Sequence, residues 1–214
     1  MSWPRYRPEQ PSIALYGASG MIGSRIGAEA VARGSRVTGL TRSGSPDLPA
    51  GVTARQGDAR DDDDVARVAA EHDVVVCALS PSRDGGRHDD YLDAVSSLAH
   101  NVPPKRLVVV GTAGILRAAP GLRLVDTPAY PEEWRAESRT MVAAYDALRD
   151  AGGLVDWVYI APPPSIVAGE RTGRYRLGVD TPVAESISVE DFAVAVLDEI
   201  EHPRHRRELF TVAT

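Results

Sequence analysis

The stretch Ile13 to Gly34, IALYGASGMIGSRIGAEAVARG, constrains this chain more than any other feature. Four apolar or aromatic residues lead into Gly17, Gly20 and Gly23 at a spacing of three, and a segment of helical character follows. Such a turn brings unobstructed backbone N–H groups to a helix N-terminus, where both the donors and the helix dipole stabilise an anion. Gly17 permits the tight turn, Gly20 the close approach of a pyrophosphate, and Gly23 the close packing of helix on sheet. Ala18, Ser19, Met21 and Ile22 complete the cradle. Glycines punctuate many turns, and the spacing alone is weak. Its context, after a strand candidate, opening a helix and followed by a second strand candidate, points to a dinucleotide. A serine nucleophile on this turn needs G-x-S-x-G, and Met21 stands where the last glycine would be.

The rest of the chain alternates short β-branched runs with longer helical segments, the pattern of a parallel sheet wrapped by helices. Strands are expected at SIALYG from Ser12, SRVTGL from Ser35, VTARQ from Val52, DVVVCAL from Asp73, RLVVVG from Arg106 and VDWVYI from Val155. Helices are expected over Met21 to Arg33, Asp61 to Glu71, Tyr91 to Asn101 and Glu132 to Ala151. Continuous apolar runs such as LVVVG suit strands buried on both faces. After Ile160 the proline- and glycine-rich APPPSIVAGERTGRYRLGVDTPVAES excludes a long helix and reads as a small irregular C-terminal lobe, about residues 161–187. Regularity returns in ISVEDFAVAVLDEIE, with Ser188 as N-cap, Asp191 three residues on, and Phe192, Val196 and Ile200 at four-residue spacing. A last strand is expected at ELFTVAT. The expected fold class is α/β, a doubly wound parallel sheet in one domain over residues 1–214 with a loose lead-in at 1–11.

The end of the second strand selects the dinucleotide, because a carboxylate there bonds the ribose 2′-hydroxyl of NAD and a cation accepts the 2′-phosphate of NADP. VTGLTRSGS places Thr41, Arg42 and Ser43 at that point with no acid before Asp47. Arg42 can clamp a phosphate and the two hydroxyls can add bonds, so NADP is favoured over NAD. Asp58 ends the third strand, where its carboxylate can accept the adenine amino group and Ala59 can offer its backbone N–H. The acidic run Asp61 to Asp64 reads as a helix start rather than a metal site, since acids in a first turn complement the dipole. Ala78, Leu79 and Ser80 follow the fourth strand and should lie over the cofactor.

Composition narrows the partners. Twenty-four Lys and Arg against thirty Asp and Glu give a net charge of -6 over 214 residues, with no dense basic stripe, so nucleic acid is not an expected partner. The single cysteine, Cys77, excludes a disulfide framework and a Cys-based metal site within the chain, and suits a reducing cytoplasm. No apolar run reaches signal-peptide or membrane-spanning character. The expectation is a cytoplasmic monomer or homodimer acting on a small molecule, with no membrane partner and no metal.

Taken together, GASGMIG, TRSG, QGDARD, VVVGTAG, DWVYIAPP, RTGRYRLG, ISVEDFAVAVLDEIEHP and ELFTVA resemble the atypical short-chain dehydrogenases of the NmrA-like, NAD(P)H-binding group, often described as NADH-flavin reductases. The resemblance runs from about Ser12 to Ala213. It implies a Rossmann core, a nicotinamide cofactor and a substrate pocket beneath the C-terminal lobe. It implies Gly17, Ser19, Gly20, Met21 and Ile22 on the pyrophosphate, Arg42 on the ribose phosphate and Asp58 on adenine. It also places GTAG, Gly111 to Gly114, where short-chain dehydrogenases carry a catalytic serine, which makes Thr112 the available hydroxyl. The Tyr-x-x-x-Lys pair of those enzymes, in which a phenol protonates the carbonyl and the lysine lowers its pKa, is missing from the following helix. Arg135 and Arg139 keep that spacing near the expected place. Arg139 can hold a ribose, but an arginine is a poor general acid at neutral pH. Tyr145 and Arg149 keep the spacing too late in the helix, and Tyr130 is a candidate acid from the preceding loop.

Hydride transfer from NADPH to a small conjugated acceptor such as a flavin or quinone can proceed with protons from solvent, so a positioned cofactor suffices. A non-catalytic NAD(P)-binding regulator of the NmrA type is the alternative, and an NAD-dependent epimerase-like protein a third, which needs an acid and a base that the sequence does not offer. His202 and His205 in HPRH read as surface histidines. His88 and Tyr91 are either substrate contacts or part of a polar loop capping a helix. Arg174 and Arg176 fit either an anionic substrate or the solvated face of an edge strand. Trp157 alternates with Val155 and Tyr159 and reads as core, and Asp191 as helix start.

Overall fold

The computed structural model describes residues 10–44, 47–83, 86–150 and 155–214. Most of the expected lead-in therefore lies outside the described residues. The chain runs β1 (Ile13–Tyr16), α1 (Met21–Ala32), β2 (Val37–Thr41), β3 (Thr53–Gln56), α2 (Asp62–Glu71), β4 (Val74–Cys77), α3 (Asp89–Asn101) and β5 (Arg106–Val110). A hairpin of β6 (Arg117–Ala119) and β7 (Leu122–Arg123) precedes α4 (Glu132–Asp150) and β8 (Asp156–Ala161). Then come β9 (Ser165–Val167), β10 (Arg176–Gly178), β11 (Ser186–Ser188), α5 (Val189–Glu201) and β12 (Glu208–Ala213).

The central sheet has eight strands in the order β10-β12-β8-β5-β4-β1-β2-β3, and every pairing except β10 with β12 is parallel. It is an α/β, Rossmann-like fold. Strand alternation divides the core cleanly. Ile13 and Leu15 of β1 pack with Val74, Val76, Val108, Val110, Val158 and Ile160 under α1 and α5, whereas Ala14 and Tyr16 pack with Val75, Cys77, Leu107, Val109 and Tyr159 under α2, α3 and α4. Burial on both faces is why these strands read as unbroken apolar runs. From β1 the chain first builds outward through β2 and β3, then returns to place β4 on the other side of β1. That reversal opens a crevice at the carboxyl ends of β1 and β4, where open α/β sheets bind ligands.

The segment expected to be irregular contains β9, β10 and the start of β11, each three residues long; Gly169 stands two residues beyond β9 and Gly178 is the last residue of β10, whereas β11 runs straight into α5. One of them, β10, pairs antiparallel onto β12 and widens the main sheet. Arg176 thus lies on an edge strand. The hairpin of β6 and β7 was not expected either; Gly121, at φ +76, makes its turn. Asp191 does more than start a helix. Ser188 caps α5 through Asp191 N, while the buried Asp191 carboxylate accepts from Thr172 Oγ1 at 2.6 Å and Gly173 N at 2.7 Å, tying the lobe to the helix. Glu29 of α1 makes a second tie, accepting from Arg171 Nε and Nη2 at 2.7 Å each. No helix among the described residues is long and apolar enough to cross a membrane.

Candidate functional site

At the crevice the glycine loop behaves as a cradle that side chains would fill. Gly17 adopts φ +84, which favours glycine, and a Cβ there would strike the carbonyl of Ala78. A Cβ on Gly23 would strike the Gly17 carbonyl, and one on Gly20 would lie 3.3 Å from it. Helix α1 starts with Gly20 at its N-cap and no side chain on its first N–H groups, in contrast to α2, where the Asp61 side chain accepts from Asp63 N and Asp64 N. An uncapped helix start beside bare backbone fits a pyrophosphate.

Two cavities meet at this loop and share Leu79, Ser80 and Arg83. The first, of 740 Å³, takes in Gly17, Ser19, Thr41, Arg42, Ser43, Asp58 and Ala59. Around its polar rim, Arg42 is exposed and its guanidinium has no carboxylate partner among the described residues, while Thr41 Oγ1 accepts from Gly44 N at 3.1 Å. Asp58 is engaged by its neighbour: Arg60 Nη2 donates to it at 2.7 Å, and this guanidinium holds the Asp58 carboxyl below its usual range. Arg60 also reaches Asp90 at 3.0 Å, closing one side of the cavity.

The second cavity, of 540 Å³, takes in Gly20, Met21, Ile22, Ala78, Gly111, Thr112 and Tyr130. Its walls are mainly apolar: Leu124, Pro131, Trp134, Met141, Pro162–Pro164 and Ile166. A Cβ on Gly111 would run into the ring of Tyr159 beneath it, so the floor is flat at the end of β5. Near this floor three hydroxyls join. Thr112 Oγ1 lies 2.9 Å from Ser138 Oγ, and Tyr130 Oη lies 2.6 Å from Ser138 Oγ. Gly114 N donates to Thr112 Oγ1 at 3.2 Å, and Gly114 carries no Cβ because Ser138 and Tyr130 crowd the space one would take. Beside them the buried Glu137 accepts from Arg83 Nε at 2.7 Å and Nη2 at 2.8 Å, and the Arg83 guanidinium stacks 4.9 Å from the centre of the Trp134 ring.

Two expected site residues line neither cavity. Ala18 is buried, its Cβ turned into the core under α1 and α5 near Gly39. Arg139 projects to solvent and lies 3.8 Å from Asp126, because one residue's 100° turn along α4 carries it away from the face of Ser138. Arg135 does not stand as an acid; its guanidinium donates to the carbonyls of Val125, Thr127 and Tyr130. His88 sits at the N-cap of α3 without a side-chain cap bond: its Nδ1 lies 2.8 Å from Thr140 Oγ1 and its Nε2 3.1 Å from the Ser82 carbonyl, while Tyr91 lines the first cavity. Trp157 is core. Cys77 is fully buried and its thiol pushed up to about 11 by burial, an unreactive setting. Among the described residues no group of three His, Cys, Asp or Glu could hold a metal.

Ser138, Glu137, Trp134 and Arg83 are the residues that the sequence reading missed. Trp134, Glu137, Ser138 and Met141 recur at helical spacing and form one stripe of α4 facing the cavity. The signal was present, but a search for tyrosine and lysine four apart passes over it.

Residues 17–203 match the family described as NAD(P)H-binding. The chain belongs to that family. The family match supports a nicotinamide dinucleotide as cofactor. Three solved structures are similar over nearly the whole of this family member. A Burkholderia pseudomallei protein, provisionally named as exported, is 38% identical with a TM-score of 0.84, covering 95% of this chain and 100% of its own. One from Bacteroides thetaiotaomicron, provisionally named an epimerase, is 35% identical with a TM-score of 0.82, covering 94% of this chain and 96% of its own. A third, from Streptococcus pneumoniae TIGR4 and provisionally named an NADH-flavin reductase, is 25% identical with a TM-score of 0.82, covering 95% and 99%.

Proposed function

We propose that the protein is an NADPH-dependent reductase that passes hydride to a small conjugated acceptor such as a flavin or a quinone. The observation that carries this reading is the junction of the two cavities: the groove served by the glycine cradle runs directly into an apolar chamber with a flat floor and a hydroxyl cluster. Bound there, the nicotinamide supplies the hydride. The chain's own residues do the rest. Gly17, Ser19, Gly20, Met21 and Ile22 hold the pyrophosphate, Asp58 and Ala59 face adenine, and Ala78, Leu79, Ser80 and Gly111 line the path to the nicotinamide. Tyr130 offers its hydroxyl to the acceptor, Thr112 stands behind it in the hydroxyl cluster, and the apolar walls exclude water.

Arg42 supports NADP over NAD, since an exposed guanidinium without a carboxylate partner at the rim suits a 2′-phosphate. The name of the Streptococcus relative agrees with a flavin as acceptor. NADPH oxidation by the purified protein, measured with FMN and with a quinone, tests the reading, and turnover with either is the expected result. Arg42→Ala should weaken NADPH by tenfold or more, the scale of a lost charged hydrogen bond, and leave NADH nearly unchanged. Equal losses would show that Arg42 does not read the phosphate.

The absence of Tyr-x-x-x-Lys favours one second reading. Helix α4 carries no lysine, and Val142, four residues after Ser138, is buried and apolar. Tight NADP binding without turnover on any acceptor would identify a non-catalytic NAD(P)-binding regulator of the NmrA type. The name of the Bacteroides relative raises an epimerase, which needs a paired acid and base; the Glu137 carboxylate in the chamber is already held by Arg83, which does not favour that reading.

A further inference from the structure

We propose that Ser138 is a positioning residue that couples Thr112 to Tyr130 and thereby makes the Tyr130 phenol the proton donor of this site, in place of a tyrosine and lysine on one helix. The inference rests on the reductase reading for its chemistry and on the hydroxyl geometry for its structure.

Three residues from three elements converge on one point. Thr112 follows β5, Ser138 lies mid-way along α4, and Tyr130 comes from the loop before α4. The contacts of 2.9 Å and 2.6 Å are those of good O–H···O hydrogen bonds. Each hydroxyl has one hydrogen and two lone pairs. The Gly114 N–H, donating to Thr112 Oγ1, starts the chain from a backbone group that can only donate. In the order proposed, the hydrogen of Thr112 donates to Ser138, that of Ser138 to Tyr130, and that of Tyr130 toward the chamber. Thr112 and Ser138 are buried, Tyr130 is half-buried, and the successive bonds polarise one another in a dry setting. A serine in the interior of a helix more often bonds the carbonyl a turn back. Here its side chain bridges two groups far apart in sequence.

Chemically the arrangement does for a phenolate what a neighbouring lysine does elsewhere. An acceptor gains a hydride, supplied by the nicotinamide bound in the groove, at a conjugated carbon, and an electron pair moves onto its carbonyl oxygen. The Tyr130 O–H bond breaks and its proton forms the O–H bond on that oxygen. The phenolate so formed accepts the Ser138 hydrogen, and its half-exposed position lets it regain a proton from solvent. The Ser138 hydroxyl, 2.6 Å from Tyr130 Oη, is already in place to donate to the oxygen on which charge develops as the proton leaves.

The test uses the full-length chain with Ser138→Ala, Thr112→Val and Tyr130→Phe. The hydrogen bonding of Tyr130 is followed without cofactor, at neutral pH, by the Cζ resonance of ¹³C-labelled tyrosine, assigned by its loss in Tyr130→Phe. In Ser138→Ala that resonance should shift, because the phenol oxygen loses a hydrogen-bond donor. Thr112→Val, which keeps the volume and removes the hydroxyl, should shift it in the same direction by less. With NADPH and a quinone, kcat should fall about tenfold in Ser138→Ala, the scale of one lost hydrogen bond, with KM for NADPH unchanged. An unmoved resonance in folded Ser138→Ala and Thr112→Val overturns the inference. A shifted resonance in a protein that oxidises no NADPH with any acceptor upholds the hydroxyl chain and sinks the reductase reading instead.

Discussion

The guanidinium of Arg135 lies under the loop that carries Tyr130, with Nη2 2.6 Å from the Tyr130 carbonyl oxygen. The same side chain donates through Nη1 to Val125 O at 2.6 Å and Thr127 O at 3.1 Å, so one fork fixes three carbonyls of a segment with almost no regular structure. Arg135→Ala should leave those carbonyls unpaired, lower stability by about 1–3 kcal/mol, and cut kcat far more than it weakens NADPH. Arg135→Lys should recover little, because an ammonium cannot reproduce the planar fork. Denaturant unfolding with steady-state kinetics checks both, and a normal kcat in Arg135→Ala would show that the loop holds itself.

Gly23→Ala should disable the cradle. Its Cβ would meet the Gly17 carbonyl, a backbone atom that cannot swing aside. The expected cost is about 1–3 kcal/mol of stability, with at least a tenfold loss in dinucleotide affinity. Gly27→Ala, one turn on in the same helix, is the control. There the nearest atoms are the side-chain methyls Val52 Cγ2 at 3.2 Å and Leu15 Cδ2 at 3.4 Å, which can yield, and alanine's helix propensity offsets the crowding.

Asp191→Ala should loosen the lobe without uncapping α5. Ser188 keeps the cap through Asp191 N, a backbone group that the substitution preserves. Thr172 Oγ1 and Gly173 N lose their carboxylate, at a cost of about 1.5–3 kcal/mol for bonds to a buried charge. Limited proteolysis should then cut first between residues 168 and 178, and cleavage elsewhere would refute the assignment.

Stability should fall in acid partly through Glu29. Hydrogen bonding to Arg171 first, and to Arg33 after it, holds the Glu29 carboxyl below its ordinary value of 4.5, against the opposing effect of burial. A carboxylate depressed in the folded state stabilises the fold fully above its unfolded pKa, and that contribution disappears as pH falls through the lower folded pKa. The difference in Tm between the parent and Arg171→Ala should therefore be constant near neutrality, shrink below pH 4.5, and close in stronger acid. A gap independent of pH would mean that Arg171 acts by packing alone.

The sequence carried the sheet and the cradle but not the chemistry of the second cavity. Strands such as Val74–Cys77 and Arg106–Val110, buried on both faces, leave unbroken apolar runs, and Gly17, Gly20 and Gly23 are bound to their places by backbone approach. Helix ends agreed to within two residues, except that the expected end of α4 at Ala151 lies outside the described residues. The strands β9, β10 and β11 stayed hidden because three residues are too few for a period to register. Ser138 stayed hidden for another reason. Its partner Thr112 is 26 residues away, and nothing local distinguishes a serine that bridges two hydroxyls from one that faces water.

The place of the glycine loop beside the second cavity has a kinetic consequence. Gly20, Met21 and Ile22, which the proposal puts on the pyrophosphate, line that cavity and not the first. For the reductase proposed above, an acceptor that arrived first would stand in the path of the nicotinamide, whereas a seated cofactor completes the acceptor's wall. Turnover should then follow a compulsory order, with dinucleotide first on and last off. Double-reciprocal plots should intersect rather than run parallel, and the oxidised dinucleotide should compete with its reduced form but not with the acceptor.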